Sequence, residues 1–315
     1  MAESQGRAET LRAFGRAVKG ARLEAWGNPF GYLFIAPAII LYLIFNIWPL
    51  IRGFTMAFTD YRFIYPDTIW DFNGIANFVE MVGDKDFWNA FGISIRYTLM
   101  VIPTLLVFAM IVAVLISRVR HVAGFYRWII YLPTILPIAV TLLMWREFYD
   151  PTFGFINVTL RRWGIQNPPK WLGDPKLALG CVAVTDIWRS FGFPALLFII
   201  GIYNINRELY EAAAIDGASG WMQFWKITLP LLRPVLTLVL VLNSNILGAT
   251  EQMMVMTGGG PQGSTMSLGL FLYNMAFQFG DLRLGYAAAI GLAVGLLGAT
   301  LTGFWFRVLR PQEGE

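Results

Sequence analysis

The sequence predicts an all-α membrane protein with six transmembrane helices and with both termini in the cytoplasm. The 315 residues are 57% hydrophobic and only 14% charged, whereas soluble domains carry about a quarter charged residues. Several stretches are also long enough to cross a bilayer core about 30 Å thick, which takes about 20 apolar residues. The placement of Lys and Arg then gives the orientation.

Six stretches of the chain satisfy this length and composition. They lie at roughly 31–51, 91–117, 125–148, 178–202, 231–256 and 284–306. The third stretch contains Pro133 and Pro137, which predict a kink because proline removes backbone hydrogen bonds. The fifth is interrupted by "NSN" and "TEQ", and we include it because "LLRPVLTLVLVL" leads directly into it.

The orientation follows from the positive-inside rule. More of the 24 Lys and Arg residues fall in segments that an inside N-terminus would place in the cytoplasm, above all in the basic tail before the first helix. We therefore expect a cytoplasmic tail at 1–30, a six-helix domain at 31–310 and a second cytoplasmic tail at 311–315. The cytoplasmic loop between the fourth and fifth helices is 203–230.

The N-terminal tail has no apolar core of signal-peptide length. Leu11, Phe14, Val18 and Ala21 recur at helical spacing among Arg and Lys residues. This pattern is typical of an amphipathic helix on an anionic membrane surface. A solvated basic tail without such a helix is the alternative.

The composition also excludes several classes of chemistry. Cys181 is the only cysteine and His121 the only histidine. A disulfide framework, a His-based zinc site and a Ser-His-Asp triad are therefore excluded. We expect no metal and no cofactor bound by this chain.

The loop 203–230 contains "EAAAIDGASGWMQFWKITLP", which is unusual between two apolar runs. "ELYEAAAID" favours a helix with acidic residues near its start. Gly217 stands where a left-handed C-cap would end that helix, and Ser219 can cap a second one. Pro230 ends the segment before the next span.

The second short helix carries an aromatic face. Trp221, Phe224, Trp225 and Thr228 share one side at helical spacing. We expect this face to pack on the inner ends of the chain's own helices, while the small residues of the first helix receive a partner. An ordinary Ala-rich hairpin is the alternative reading of the same residues.

The segment resembles the EAA motif of bacterial ABC importer permeases. The matching residues are Glu211, Ala212, Ala213, Asp216, Gly217 and "ITLP" at 227–230. "LFIAPAIILYLIFNIWPLIRGFTMAFTDY", "LPTILPIAV", "WLGDPKLAL", "TGGGP" and "LGYAAAIG" follow the family's order. The chain is similar to the first of the two permease types in carbohydrate importers of the maltose, lactose, trehalose and glycerol phosphate group.

This resemblance implies a set of roles and partners. Residues 211–217 would form a coupling helix that docks in a cleft of a cytoplasmic ATPase subunit, with Glu211 at the rim and Gly217 at the turn. The partners would be a second permease subunit in a heterodimer, two ATPase copies that use ATP and Mg, and an extracytoplasmic solute-binding protein. The implied location is the bacterial inner membrane, and neither enzymatic activity nor nucleic acid is implied.

Polar residues inside the fourth span are candidates for the solute pathway. Asp186 and Arg189 are three residues apart, so they can pair on one helix face. A structural ion pair and a contact to solute are both open for them. Trp188 corresponds, by the resemblance, to a position that lines the sugar site of maltose-type permeases.

The fifth span carries two further polar bands. Asn243 and Asn245 belong to the first, and Glu251 and Gln252 belong to the second, one heptad later. Residues at i and i+7 share a helix face, which suggests a polar-lined cavity. Hydrogen bonding between helices is the alternative, and it contributes about 0.6 kcal/mol per pair in membranes.

The resemblance implies that the solute is a sugar, polyol, glycoside or glycerol phosphate. Arg96, Arg146 and Arg189 lie in or at the edges of spans and slightly favour an anionic solute. A neutral oligosaccharide or polyol is an equal alternative. The sequence leaves this choice open.

The sequence also contains a motif that resembles a nucleotide site, and it leaves two rival functions to be considered. "GGGPQGST" at 258–265 has Ser264 where a phosphate-binding loop needs Lys, so we reject it as a nucleotide site. An ion-coupled secondary transporter of a polar solute is the main alternative function, but it would leave the "EAAAIDG" segment unexplained. A membrane enzyme lacks the necessary groups.

Overall fold

A computed structural model of the protein describes residues 29–65, 67, 71–119, 123–243 and 249–308. Regular structure within these residues is helical, apart from two isolated β-bridges. The predicted amphipathic helix of the N-terminal tail, Asn245 and the C-terminal tail lie outside the described residues. The all-α prediction is confirmed for the part that is described.

The helices are numbered here in chain order. They are α1 (Pro29–Tyr42), α2 (Trp48–Met56), α3 (Ala76–Gly83), α4 (Lys85–Arg118), α5 (Ala123–Ile135), α6 (Ile138–Phe148), α7 (Phe155–Arg162), α8 (Ala178–Ser190), α9 (Gly192–Tyr203), α10 (Arg207–Ile215), α11 (Gly220–Gln223), α12 (Leu229–Leu231), α13 (Arg233–Asn243), α14 (Thr250–Met256), α15 (Leu268–Phe277) and α16 (Leu284–Val308). Single π-turns at Leu43–Ile47 and Phe224–Thr228 join α1 to α2 and α11 to α12.

Residues up to Thr55 form a unit separate from the rest of the chain. Its described part is one apolar helical stretch, in which Tyr32–Met56 is long enough to cross a membrane. Nearly all its large side chains are exposed, including Phe34 at 84%. Apolar residues around the whole circumference are typical of a helix that lies in lipid.

Within the described residues, three helices are individually long and apolar enough to cross a membrane: Tyr32–Met56, Lys85–Arg118 and Leu284–Arg307. Three bent helix pairs pass the same test together. They are Gly124–Ile135 with Ile138–Phe148, Ala178–Ser190 with Gly192–Tyr203, and Gly220–Leu231 with Arg233–Asn243, bent by 91°, 46° and 64°. Counting each bent pair as one span gives six, which is the predicted number.

The bends follow from local sequence. The 91° bend lies between Pro133 and Pro137, where the predicted kink therefore occurs. The 46° bend lies at Phe191, and there the carbonyl of Arg189 accepts a hydrogen bond from Thr134 Oγ1 at 3.0 Å. The two bends thus pack against each other, which satisfies a backbone group that would otherwise lie unpaired in an apolar interior.

The structure divides the predicted fifth span differently. Arg233–Asn243 and Thr250–Met256 are separate helices, and residues 244–248 between them are not described. The apolar helix instead begins earlier, at Gly220, and bends at Leu232. Pro234 explains this bend because its ring excludes a continuous α-helix through the preceding turn.

Helix α4 is the element around which the larger unit packs. Its buried residues contribute to three hydrophobic clusters along its length: Tyr97 to the first, Leu105 to the second and Phe87 to the third. Its first residue follows α3, and Arg118 in its last turn lies beside Gly220 of α11. The bundle therefore has an α3 end and an α10 end, with α4 running between them.

The approach of α9 to α5 depends on a glycine. A Cβ atom built on Gly192 would overlap the carbonyl oxygen of Ile130 and lie 3.0 Å from Thr134 Oγ1. Only a residue without a side chain allows backbones this close. Gly192 therefore permits the contact between the two bent pairs.

An ion pair joins α3 to the start of α16 at the α3 end. Arg283 donates to both carboxylate oxygens of Glu80 at 2.6 Å and lies 4.9 Å from the centre of the Tyr286 ring. The hydrogen bonds from Arg283 lower the pKa of Glu80 from its ordinary value of 4.5. Bidentate pairing fixes the orientation of both side chains.

We expect Gly192→Ala to destabilise the purified protein in detergent by about 1–3 kcal/mol, because an added methyl group would force apart two packed backbones. Gly298→Ala is the matched control, since a Cβ at Gly298 meets nothing within 4 Å and alanine favours the helix. Thermal unfolding of both variants measures the difference. Equal melting temperatures for the two variants would contradict the close approach.

The Glu80–Arg283 pair gives stability a defined pH dependence. A carboxyl whose pKa is lowered by folding stabilises the protein above its unfolded pKa, and this contribution disappears as the pH falls through the folded pKa. We expect Glu80→Gln to have a lower melting temperature than the parent protein at pH 7. The two melting temperatures should converge on acidification. Glu147→Gln, which changes an exposed acid, should show no such convergence. A constant difference at all pH values would refute the assignment.

Candidate functional site

Helix α10 begins and ends with complete caps. Asn206 Oδ1 accepts a hydrogen bond from the backbone N–H of Glu208 at 3.0 Å, which satisfies a free N–H of the first turn. At the other end Gly217 has φ +80°. Ala218 N–H donates to Ala213 O at 2.8 Å, and Gly217 N–H donates to Ala214 O at 3.1 Å. This is a Schellman turn, with the left-handed glycine that the sequence predicts.

The second part of the segment starts at Ser219, as predicted. Ser219 Oγ accepts a hydrogen bond from Met222 N–H at 3.3 Å. The aromatic face is buried less than expected: Thr228 is buried and Phe224 packs against the second hydrophobic cluster, but Trp221 and Trp225 are 72% and 50% exposed. The rings nevertheless contact one another, with Trp221 6.3 Å from Phe224 and 5.6 Å from Trp225 between ring centres, so the predicted face is present but only partly covered.

Three side chains hold α10 in place. Two of them, Tyr210 and Gln223, were not singled out from the sequence, and the third, Thr228, was assigned to the aromatic face. Tyr210 OH lies 2.9 Å from Thr228 Oγ1. Gln223 Nε2 donates to Tyr210 O at 3.4 Å and to Ala218 O at 3.2 Å. Tyr210 is the only aromatic residue of α10, a signal that could have indicated its inward position. These bonds connect α10 with the π-turn that leads into α12.

The surface of α10 is otherwise open. None of its residues is buried. Among the described residues Glu211 pairs with Arg207 of the same helix alone, at 2.8 Å, and its side chain is 59% exposed. Ile215 and Leu209 are 87% and 47% exposed, beside the exposed Ala212. The segment therefore presents small and apolar groups that nothing in the described chain covers.

A second set of predicted residues meets inside the bundle around Asp186. Asp186 is 2% exposed, and its carboxylate accepts four hydrogen bonds. Tyr97 OH donates to Oδ2 at 3.0 Å, whereas Oδ1 accepts from Arg189 Nη2 at 3.1 Å, from Gln252 Nε2 at 3.3 Å and from Ser190 Oγ at 3.4 Å. We call these five residues the Asp186 cluster.

The cluster joins three elements of the bundle. Tyr97 comes from α4, Gln252 from α14, and the remaining members from α8. The predicted Asp186–Arg189 ion pair is present, and the structure adds Tyr97 and Ser190, which the sequence analysis did not select. A tyrosine in an apolar run is an ambiguous signal, because most such rings serve only packing. Arg189 Nε lies buried without a hydrogen-bond partner within the described structure.

The other predicted pathway residues that the structure describes do not join this cluster. Trp188 packs against Trp145 at 5.5 Å between ring centres, edge to face. Asn243 Nδ2 donates to Val239 O of its own helix at 2.8 Å, and Glu251 is exposed in the first turn of α14. The described members of the two polar bands therefore belong to separate helices, Asn243 to α13 and Glu251 to α14.

The rejected phosphate-loop sequence forms a closed turn. Thr265 is fully buried within it, and its Oγ1 donates to Gly260 O at 2.8 Å. The next helix begins only at Leu268, where Ser267 Oγ accepts from Leu270 N–H at 3.2 Å. Among the described residues there is no group of three or more His, Cys, Asp or Glu residues that could hold a metal ion.

Known proteins resemble this chain in sequence and in fold. The family described as "Binding-protein-dependent transport system inner membrane component" matches residues 86–312. A probable ABC transporter permease protein of Bacillus subtilis (strain 168) is 33% identical over 310 residues, covering 94% of this chain and 98% of the relative. A trehalose/maltose transport system permease protein of Thermococcus litoralis is 32% identical over 273 residues, covering 86% and 91%.

The fold is also found in a solved structure. The crystal structure of a bacterial ABC transporter involved in the import of the acidic polysaccharide alginate contains a chain with a TM-score of 0.79 and 24% identity. The likeness covers 95% of this chain and 99% of that chain. The matched family region includes both the Asp186 cluster and α10, and these matches confirm the resemblance inferred from the sequence. The chain belongs to the family of binding-protein-dependent transport system inner membrane components.

Proposed function

We propose that the chain is the membrane-spanning subunit of an ATP-driven importer that receives a sugar or related polar solute from a binding protein. The observation that carries this proposal is the exposed α10 with its completed turn at Gly217. A surface of small residues on a capped helix is suited to close contact with another protein. Relatives named as ABC transporter permeases support the same assignment.

In this proposal the chain crosses the inner membrane of a bacterium six times, with each bent helix pair as one span. Both termini and α10 lie in the cytoplasm, in agreement with the positive-inside rule. The α3 end then faces the outside, where the binding protein delivers solute. A second permease subunit completes the pathway as the other half of a heterodimer.

The coupling step runs through α10. Two copies of a separate ATPase subunit bind ATP and Mg, and each permease subunit offers one coupling helix to a cleft in the ATPase. Ala212 and Ala213 allow close approach, Glu211 lies at the rim, and Asp216 and Gly217 end the helix. Closure of the ATPase pair would move α10, and the Tyr210 and Gln223 contacts would pass that movement to α12 and α13.

The solute pathway is assigned to the Asp186 cluster and Trp188. Aromatic rings pack on sugar ring faces, while carboxylates and amides bind hydroxyl groups. In the present arrangement Arg189 and Gln252 both donate to Asp186, so these bonds would be exchanged for bonds to solute when the pathway opens. The trehalose/maltose relative supports a sugar as solute, and the proposal extends to related polyols, glycosides and glycerol phosphates.

Replacing Gly217 by proline tests the coupling role. Proline cannot adopt φ +80° and lacks the N–H that bonds to Ala214 O, so the turn after α10 would be lost. We expect the Gly217→Pro subunit to insert into the membrane but to fail to co-purify with its ATPase, with uptake reduced by at least about tenfold, since a lost docking anchor typically accounts for 2 kcal/mol or more.

Gly164→Pro is the matched control, because Gly164 also has positive φ and its N–H donates to Arg161 O three residues earlier. This variant breaks a similar turn far from α10 in the sequence and should keep the ATPase bound. Normal ATPase binding and transport-coupled hydrolysis in Gly217→Pro would exclude α10 as the coupling element.

Trp188 tests the pathway. We expect Trp188→Ala to raise the KM for uptake about three- to tenfold, because a lost aromatic contact is worth about 0.5–1.5 kcal/mol. Trp188→Phe should keep most of the affinity, and both variants should assemble normally. A lower melting temperature for Trp188→Ala with an unchanged KM would instead assign Trp188 to packing against Trp145.

A further inference from the structure

A cleft of about 670 Å³ lies between three elements at the α3 end. One wall is a face of α4 that carries Asn89, Ile93 and Arg96. The second wall is the start of α8 with the residues before it, and the third is the turn at 262–264. Its volume is within the range of small-molecule sites, which is about 300–1,000 Å³.

The charge of the cleft is one-sided. Arg96 and Lys176 are both in its lining, and the lining contains no Asp or Glu. Arg96 Nε donates to Gly92 O at 3.3 Å, which leaves the terminal guanidinium nitrogens for another partner. Within the described residues, neither cation has a carboxylate within salt-bridge distance.

The third wall contains one unpartnered hydroxyl group and one strained residue. Ser264 Oγ is enclosed and has no hydrogen-bond partner in the described structure. Gln262 has φ +53°, a left-handed conformation that a residue with a side chain rarely adopts. Such backbone strain persists where the surroundings impose it, and it is concentrated at ligand sites.

The floor of the cleft is apolar and leads toward the Asp186 cluster. Ile93 and Leu179 are 2% and 8% exposed and belong to the first hydrophobic cluster. Ile93 precedes Tyr97 by four residues on α4, and Leu179 precedes Asp186 by seven on α8. At 1.5 Å per residue these steps are about 6 Å and 10 Å along the helices. A molecule in the cleft is thus one to two helical turns away from the Asp186 cluster.

We propose that this cleft is an entrance site that selects solutes in which a sugar or polyol carries an anionic group. Arg96 and Lys176 bind the carboxylate, phosphate or sulfonate, Gln262 and Ser264 bind hydroxyl groups, and the apolar floor contacts the ring face. Two cations and an amide in one cleft suit a ligand that carries an anionic group beside hydroxyl groups. The inference rests on the proposed function, because it assumes that the α3 end faces the solute.

The test is direct binding to the assembled importer in lipid nanodiscs. Trigalacturonate and glycerol 3-phosphate are the anionic probes, and the methyl ester of trigalacturonate is the neutral probe with the same sugar units. We expect at least one anionic probe to bind roughly tenfold tighter than the ester, because hydrogen bonds to charged groups are worth about 1.5–3 kcal/mol. The preference should weaken with added salt.

Arg96→Gln with Lys176→Gln should abolish this preference. The matched control is Arg162→Gln with Lys170→Gln, which removes two exposed cations of the same types that do not line the cleft. The control should keep the preference, which separates a local site from the general field of the protein. Gln262→Gly is a third variant. It removes the amide that binds hydroxyl groups, so binding should weaken. It also relieves the backbone strain, so the melting temperature should not fall.

Two results would overturn the proposal. One is equal binding of the anionic probes and the ester by the parent importer. The other is an anionic preference that persists in the Arg96/Lys176 double variant. Neither result depends on ATP hydrolysis, whereas failure of the proposed function would appear as ATP-independent uptake or as an unbound ATPase, so the two failures are distinguishable.

Discussion

The bundle depends on one buried carboxylate. A charged group inside a membrane-spanning structure is costly unless donors surround it. Asp186 satisfies this requirement with donors from α4, α8 and α14, so those helices must keep a fixed rotation relative to one another. The bond from Gln252 also attaches the short α14 to this carboxylate. This set of hydrogen bonds therefore adds a fixed orientation to helices that the hydrophobic clusters pack together.

The bends in the helices impose the same requirement for hydrogen-bond partners on backbone groups. Each bend frees carbonyl and N–H groups that have no water to bind in a lipid core. The chain meets this demand by placing one bend against another, with Thr134 bonded to the carbonyl of Arg189 and with Gly192 allowing the contact. Irregular backbone is therefore enclosed by protein, next to the residues assigned to the pathway.

The sequence indicated the class of fold, the proline kink and both caps of the segment around Gly217, because each of these has a local cause. Hydropathy also identified α4 and α16 closely. Long-range contacts were inaccessible: nothing near Tyr97 indicates its bond to Asp186, and nothing near Trp221 and Trp225 indicates how far other helices cover their rings. The fifth span was divided differently because Ser219 starts a helix earlier than hydropathy suggests and Pro234 then breaks it.

The turn at Gly217 closes its hydrogen bonds entirely within the chain, through Ala213 and Ala214. A protein that covers this surface meets a shape that is already folded, so no ordering entropy is lost at that moment. The strength of the contact is then governed by the fit of small side chains rather than by coupled folding. Attachment and release at such a surface need little reorganisation in this chain, which leaves their timing to the state of the other protein.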